Sequence, residues 1–310
     1  QALSELADRL QELPNPYIFG LPLSEQHTAF VARTELVHQI KGELSRAQPR
    51  VIALYGQRRM GKTTLLGNLR RLLPSEILPL FIDGEKLAGS SGFVDLVLNL
   101  AAEICRQART LNLSLLSLPA PSLTPEPVTA FEQWLKQATV QLQAQGYPFT
   151  LFAVDEFDTL VAALKKRGLA EPEILASFSR LHNANSSCRL LVGGVNVLAA
   201  WSAWQPQLGP GYSLKVARLS RREAEQLIQR PIQNFLLRYP PAVSQYVFEL
   251  TAGHPYLIQL LGYELVELKN RQSLPQRRTV QLKDVEQVIP AIFENSHFFF
   301  RDIERNQLNR

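Results

Sequence analysis

Gly56-Gln57-Arg58-Arg59-Met60-Gly61-Lys62-Thr63-Thr64 fits the pattern G-x-x-x-x-G-K-[ST], a set of residue types and spacings suited to holding phosphate. Backbone N–H groups in such a loop can wrap a β-phosphate at the positive end of the helix that follows. Lys62 can neutralise β- and γ-phosphates, and the Thr63 hydroxyl can complete a Mg2+ shell. Arg58 and Arg59 can touch phosphate or a neighbouring domain, or stand solvated. Met60, the single methionine, reads as packing. These residues lead us to expect a bound nucleoside triphosphate.

A second constellation, Asp155-Glu156-Phe157-Asp158, supplies the acidic partner that a phosphate loop needs. Asp155 can hold the metal's water shell opposite Thr63, and Glu156 can orient and polarise the water that attacks a γ-phosphate. The competing reading of the pair is a helix N-cap with an acidic first turn; Asp158 is expected to cap the helix after it. Asn196, just past Gly193-Gly194, either reaches between metal-bound water and γ-phosphate or caps the segment starting at Val197. Pro255 in Gly253-His254-Pro255 suits the first turn of a helix by its fixed φ alone.

These residues must be placed by alternating elements. Val51-Ile52-Ala53-Leu54-Tyr55 reads as a buried strand, and residues 64–73 show helical apolar spacing. A second strand is expected at residues 77–83, where Pro79 argues for an edge or a strand start. The near-continuous apolar run 149–154 reads as a strand covered on both faces, and residues 189–194 and 212–219 as a fourth and fifth. Helices are expected around 35–44, 93–111, 131–142, 160–166 and 172–182, with prolines 119, 121, 125 and 127 marking a loop. This alternation implies a parallel three-layer sheet, α/β in class. The phosphate loop and the acidic pair are expected to leave adjacent strands at the carboxyl edge. From Ser220 onward only helices recur, so the expected division is a lead-in over 1–50 contributing to the nucleotide pocket, a phosphate-loop domain over 51–219 and a smaller helical domain over 220–310.

Bulk properties narrow the field. At 310 residues and a net charge of +5, with basic and acidic residues intermixed, a nucleic-acid partner is permitted and not favoured. Apolar stretches break well short of the ~18 residues a membrane span needs, and the N-terminus lacks a signal-peptide layout; a cytoplasmic location is the expectation. Cys105 and Cys188 lack metal-ligand spacing and read as reduced core thiols. The first residues read as a short amphipathic helix over 1–12. The start at glutamine and the Phe298-Phe299-Phe300 cluster near the other end suggest a piece of a longer polypeptide.

The phosphate loop with its Arg-Arg pair, the Val154-Asp155-Glu156-Phe157-Asp158 strand end and the distal Gly253-His254-Pro255-Tyr256-Leu257, in this order, resemble the AAA-like STAND class of signal-transduction ATPases, and within it the bacterial and archaeal branch. The likeness runs from about Asn15 to about Arg301. It implies an ASCE-type P-loop NTPase fold, with the acidic strand and the polar fourth strand beside the phosphate-loop strand, followed by a helical lid. It implies ATP/ADP and Mg2+ as cofactors, with Pro255 brought from the lid towards adenine. Phe30-Val31-Ala32-Arg33-Thr34 stands where the family carries an apolar pair followed by Gly-Arg-Glu, which assigns Phe30 and Val31 to the base. Adenine over guanine also follows from the resemblance, no Asn-Lys-x-Asp motif being present.

The expected function is an ATP-operated switch module of a larger signalling or defence protein. Its partners would be fused effector or sensor domains, and its assembly a nucleotide-dependent homo-oligomer. Two alternatives stand beside it. One is an AAA+ DNA-handling ATPase, against which residues 215–310 carry only fourteen Lys and Arg to ten Asp and Glu; the other is a nucleotide-binding scaffold that does not turn over.

Overall fold

The computed structural model of the chain describes residues 12–23, 27, 29–115, 126–295 and 301. The helix expected over residues 1–12, the prolines at 119, 121 and 125, and the Phe298–Phe300 cluster lie essentially outside these. Contacts divide the chain into two units, 34–217 and the remainder on either side of it.

Within the first unit the chain runs α1 (Thr34–Leu44), β1 (Val51–Tyr55), α2 (Lys62–Gly67), α3 (Leu69–Leu72), β2 (Ile77–Asp83), α4 (Gly84–Leu87), α5 (Phe93–Thr110), α6 (Pro127–Ala144), β3 (Phe149–Asp155), α7 (Phe157–Lys166), α8 (Glu171–Asn183), β4 (Cys188–Gly194), α9 (Val197–Leu208) and β5 (Gly211–Lys215). The strands form one sheet in the order β2-β3-β4-β1-β5, every pair parallel. Alternation along the strands sorts side chains into two layers. Val51, Ala53, Phe152, Val154, Leu190 and Val192 pack on one face with α5 to α9, while Ile52, Leu54, Leu151, Ala153 and Leu191 pack on the other with α1 to α3. The result is the three-layer parallel arrangement that the alternation implies.

Sheet order corrects one expectation. The phosphate-loop strand β1 and the acidic strand β3 are not adjacent: β4 pairs with both and separates them. Cys188–Gly194 is buried at every position, as an apolar strand with helices on both faces must be. Pro79 lies in β2, an edge strand, where its missing N–H costs no ladder bond. Pro127 opens α6 at its first turn and does not extend the loop, the position its locked φ favours. Phe131, Trp134, Leu135, Ala138 and Leu142 are the core side of that helix. Both cysteines are buried free thiols.

The second unit is helical: α10 (Arg221–Gln229), α11 (Pro241–Thr251), α12 (Pro255–Asn270), α13 (Leu274–Arg277) and α14 (Leu282–Asn295). Ser220 and Glu223 form a reciprocal capping box that starts α10. The Tyr17 ring lies on α12 where a Cβ at Gly262 would stand 2.7 Å from it, and its hydroxyl donates to the carbonyl of Ile228 at 2.8 Å. The Lys269 ammonium, buried, donates to Asp284 Oδ2 at 2.5 Å. Thr279 makes an isolated parallel bridge with Arg238. Among the described residues no helix is long and apolar enough to cross a membrane.

Candidate functional site

The phosphate loop leaves the carboxyl end of β1 under tight backbone constraint. A Cβ at Gly56 would stand 2.7 Å from the Val216 carbonyl oxygen, and the Val216 amide donates to the Tyr55 carbonyl at 2.7 Å. Only glycine leaves the loop that close to the neighbouring chain. Arg59 at φ 61 and Gly61 at φ 90 then take left-handed backbone, the type of turn that gathers successive amides around an anion. Gly61 precedes α2 with no side-chain cap, and the first turn carries no acidic residue, so no carboxylate of the helix itself occupies its positive end. Gln57, Arg58 and Arg59 are exposed and Thr63 and Thr64 half-buried, whereas Met60 turns into the core layer beneath the loop.

Lys62 is 4% exposed. Its ammonium donates to the carbonyls of Gly56 at 2.9 Å and Gln57 at 3.0 Å, so the cation is folded over the loop it belongs to. Burial pulls its pKa below the usual lysine value, against the attraction of Glu156, Asp155 and Asp158. A desolvated cation held this way is costly without an anion.

Asp155 ends β3 and is 3% exposed. Burial raises its carboxyl above the usual aspartate range; the Thr63 hydroxyl and the Glu156 amide act in the opposite direction, and the charge of Lys62 does so more weakly. Its Oδ1 is buried without a hydrogen-bond partner among the described residues. An orphaned carboxylate oxygen next to a threonine hydroxyl is the donor set a hard cation takes up. Among the described residues no three His, Cys, Asp or Glu gather into a metal cluster. A cation here would therefore rest on Asp155 and Thr63, with water and phosphate oxygens completing the shell, which suits magnesium.

Glu156 occupies left-handed backbone at φ 47, before α7, a conformation a side chain adopts at a cost of about 1–2 kcal/mol. Its carboxylate accepts from the Thr159 hydroxyl at 3.1 Å, and the residue is half-buried. Both motifs meet at one edge of the sheet, because Tyr55 is in register with Gly194 and Val154 with Val192. Asn196 sits at the same edge on the turn after β4, exposed, at the N-cap position of α9 with no side-chain cap bond.

Asp158 departs from expectation. It makes no cap on α7; its Oδ2 instead accepts from the backbone N–H of Asn196 at 2.6 Å. Gly194 is glycine because a Cβ there would run into the Asp158 carboxylate. The sequence signal for this contact is the Gly193-Gly194 pair itself, two small residues ending an otherwise bulky strand.

Phe30, Val31 and Pro255 belong to the helical unit. Phe30 is buried, and Val31 packs against the core formed by Tyr17, Leu227 and Leu261. Pro255 starts α12. Gly253, at φ 71, accepts from the Leu219 amide at 2.8 Å, and a Cβ there would strike the Leu219 carbonyl. The glycine of this motif is thus required by local backbone packing.

No protein-family model matches the sequence, and no curated protein matches it. Among solved structures, the chain is similar to the Orc1 protein of Aeropyrum pernix in complex with DNA, with a TM-score of 0.50 and 17% identity. The match covers 85% of this chain and 66% of that one, so the chain spans less than two thirds of the length of that structure. At this identity the likeness is one of fold alone, an α/β arrangement built on a five-stranded parallel sheet with helices.

Proposed function

We propose that the chain binds ATP with Mg2+ and hydrolyses it slowly, as the switch module of a larger STAND-type signalling or defence protein. The observation that carries this reading is the pairing of a buried lysine folded over a phosphate loop with a buried carboxylate oxygen lacking a partner beside Thr63. Each is costly alone, and an anion with a divalent cation relieves both.

In this reading the amides of residues 56–64 hold the β-phosphate, and Lys62 neutralises β and γ. Thr63 and Asp155 hold magnesium, which when bound supplies positive charge to the phosphate oxygens. Glu156 orients the attacking water, and Asn196 reads the γ-phosphate. Phe30, Val31 and Pro255 are assigned to the adenine on the family resemblance. The division into lead-in, phosphate-loop domain and lid, and a nucleotide-dependent homo-oligomer, belong to the same proposal. Switching requires that ATP and ADP be held with different affinity in two states, because a ligand shifts an equilibrium only through that difference.

Equilibrium binding of a labelled ATP analogue to Lys62→Ala tests the site. We expect a loss of about a hundredfold or more, in line with removing a phosphate-paired charge; unchanged binding would overturn the assignment. Phosphate release from the parent separates a switch from a scaffold that does not turn over.

A DNA-handling ATPase is the second reading, favoured by one observation: the similar Aeropyrum Orc1 structure is a complex with DNA. Retardation of duplex at low salt, lost steeply as salt rises, would support it over the switch.

A further inference from the structure

We infer that Asp158 is a positioning residue for the hydrolysis step, clamping the Asn196 turn at the end of β4 to the acidic turn at the end of β3. The inference rests on the proposed ATPase reading and extends it to a residue outside the motif roles given above. Three observations on the contact agree. The Asp158 Oδ2 to Asn196 N–H bond, 2.6 Å long, joins residues 38 apart in sequence, and a carboxylate acceptor makes it one of the stronger classes of hydrogen bond. Asp158 Oδ1 is buried with no partner among the described residues, so the side chain is not placed there for its own satisfaction. Gly194 leaves exactly the space that the carboxylate fills.

The consequence is geometric. Glu156 and Asp158 lie two residues apart across the start of α7, and the clamp ties that turn to the one carrying Asn196. Residues proposed to act on the attacking water and on the γ-phosphate are then held at a fixed separation. Small misplacement at this point has large effects on rate, because reacting groups must meet at near-contact geometry. In this reading binding of the nucleotide rests chiefly on the phosphate loop, so loss of the contact falls mainly on the cleavage step.

Asp158→Ala and Asp158→Asn distinguish the clamp from a general structural role, since asparagine retains an acceptor oxygen and alanine does not. In single-turnover assays we expect Asp158→Ala to slow ATP cleavage by about tenfold or more, with analogue affinity within about threefold of the parent, and Asp158→Asn to recover most of the rate. The pair Asp158→Ala with Asn196→Ala should be no slower than Asn196→Ala alone, the non-additivity of residues acting as one unit. A readout independent of turnover is hydrogen exchange at the Asn196 amide in ligand-free protein: about tenfold faster or more in Asp158→Ala, near parental in Asp158→Asn. A parent that neither binds the analogue nor cleaves ATP removes the ATPase reading and this inference with it. A parent that does both, with Asp158→Ala at parental rate or parental exchange, overturns the inference alone.

Discussion

A Cβ on Gly193 would stand 3.3 Å from Asp155 Oδ1, so the last apolar turn of β4 leaves the acidic strand end just the width of a glycine. This keeps the carboxylate desolvated on its β4 side while its other neighbours, the Thr63 hydroxyl and the Glu156 amide, supply hydrogen bonds.

Asp155 should therefore lower the stability of the ligand-free protein. Its folded pKa is raised by burial, so its contribution is fully present below the unfolded value near pH 4 and is lost as pH rises through the folded value. Asp155→Asn removes that loss. Thermal melts without nucleotide should place the variant above the parent by roughly 1 kcal/mol at neutral pH, with the gap closing towards about pH 4. The same variant should gain no melting temperature from ATP and Mg2+.

Glu156 presents two separable effects. Glu156→Gln keeps the backbone and removes the carboxylate, so bound ATP should persist about a hundredfold longer than in the parent; equal retention would count against hydrolysis through Glu156. Glu156→Gly should also lose turnover, yet raise the urea midpoint by the equivalent of about 1 kcal/mol, because glycine carries no penalty at φ 47.

Much of this site is legible in the sequence, for particular reasons. The phosphate loop and its flanking strand are visible because the G-x-x-x-x-G-K-[ST] pattern specifies residue type and spacing together, and β3 because burial on two faces leaves a continuous apolar run. Helix α9 is illegible: Val197–Leu208 contains no charged residue, and Pro206 falls inside it, so there is no amphipathic contrast from which to read a period. The insertion of β4 between β1 and β3 and the reach of Asp158 to Asn196 are relations between distant segments, which local pattern does not encode.

The helical unit has its own pH dependence. Burial works against the Asp284 carboxylate, but hydrogen bonds from Lys269, the Gln281 amide and Gln272 hold it below the usual aspartate range. Its contribution is present above the unfolded pKa and lost as pH falls through the folded value. Asp284→Ala strands the buried Lys269 ammonium and should cost about 3–5 kcal/mol in chemical denaturation at pH 7. The penalty should begin to shrink as pH falls below the unfolded aspartate value of about 4 and vanish only through the lower folded value, where the parent carboxylate itself takes up a proton.

Thiol chemistry reports on the sheet. Burial pushes Cys188 up to about 11, opposed by hydrogen bonding at Asn185 and by Arg189, and Cys105 is raised by burial as well. A disulfide reagent at about pH 8 should leave both unmodified in the native protein and titrate two thiols in denaturant. Rapid labelling of the native chain would contradict the burial of β4.

The interposed β4 also bears on how the molecule comes into being. During synthesis the phosphate loop emerges first and the acidic turn some ninety residues later, yet neither can take up its working position until residues 188–194 slot between their strands. A nascent chain halted before Cys188 would display both motifs with their two strands still unjoined. The two motifs are thus brought together late, once long-range pairing has joined their strands.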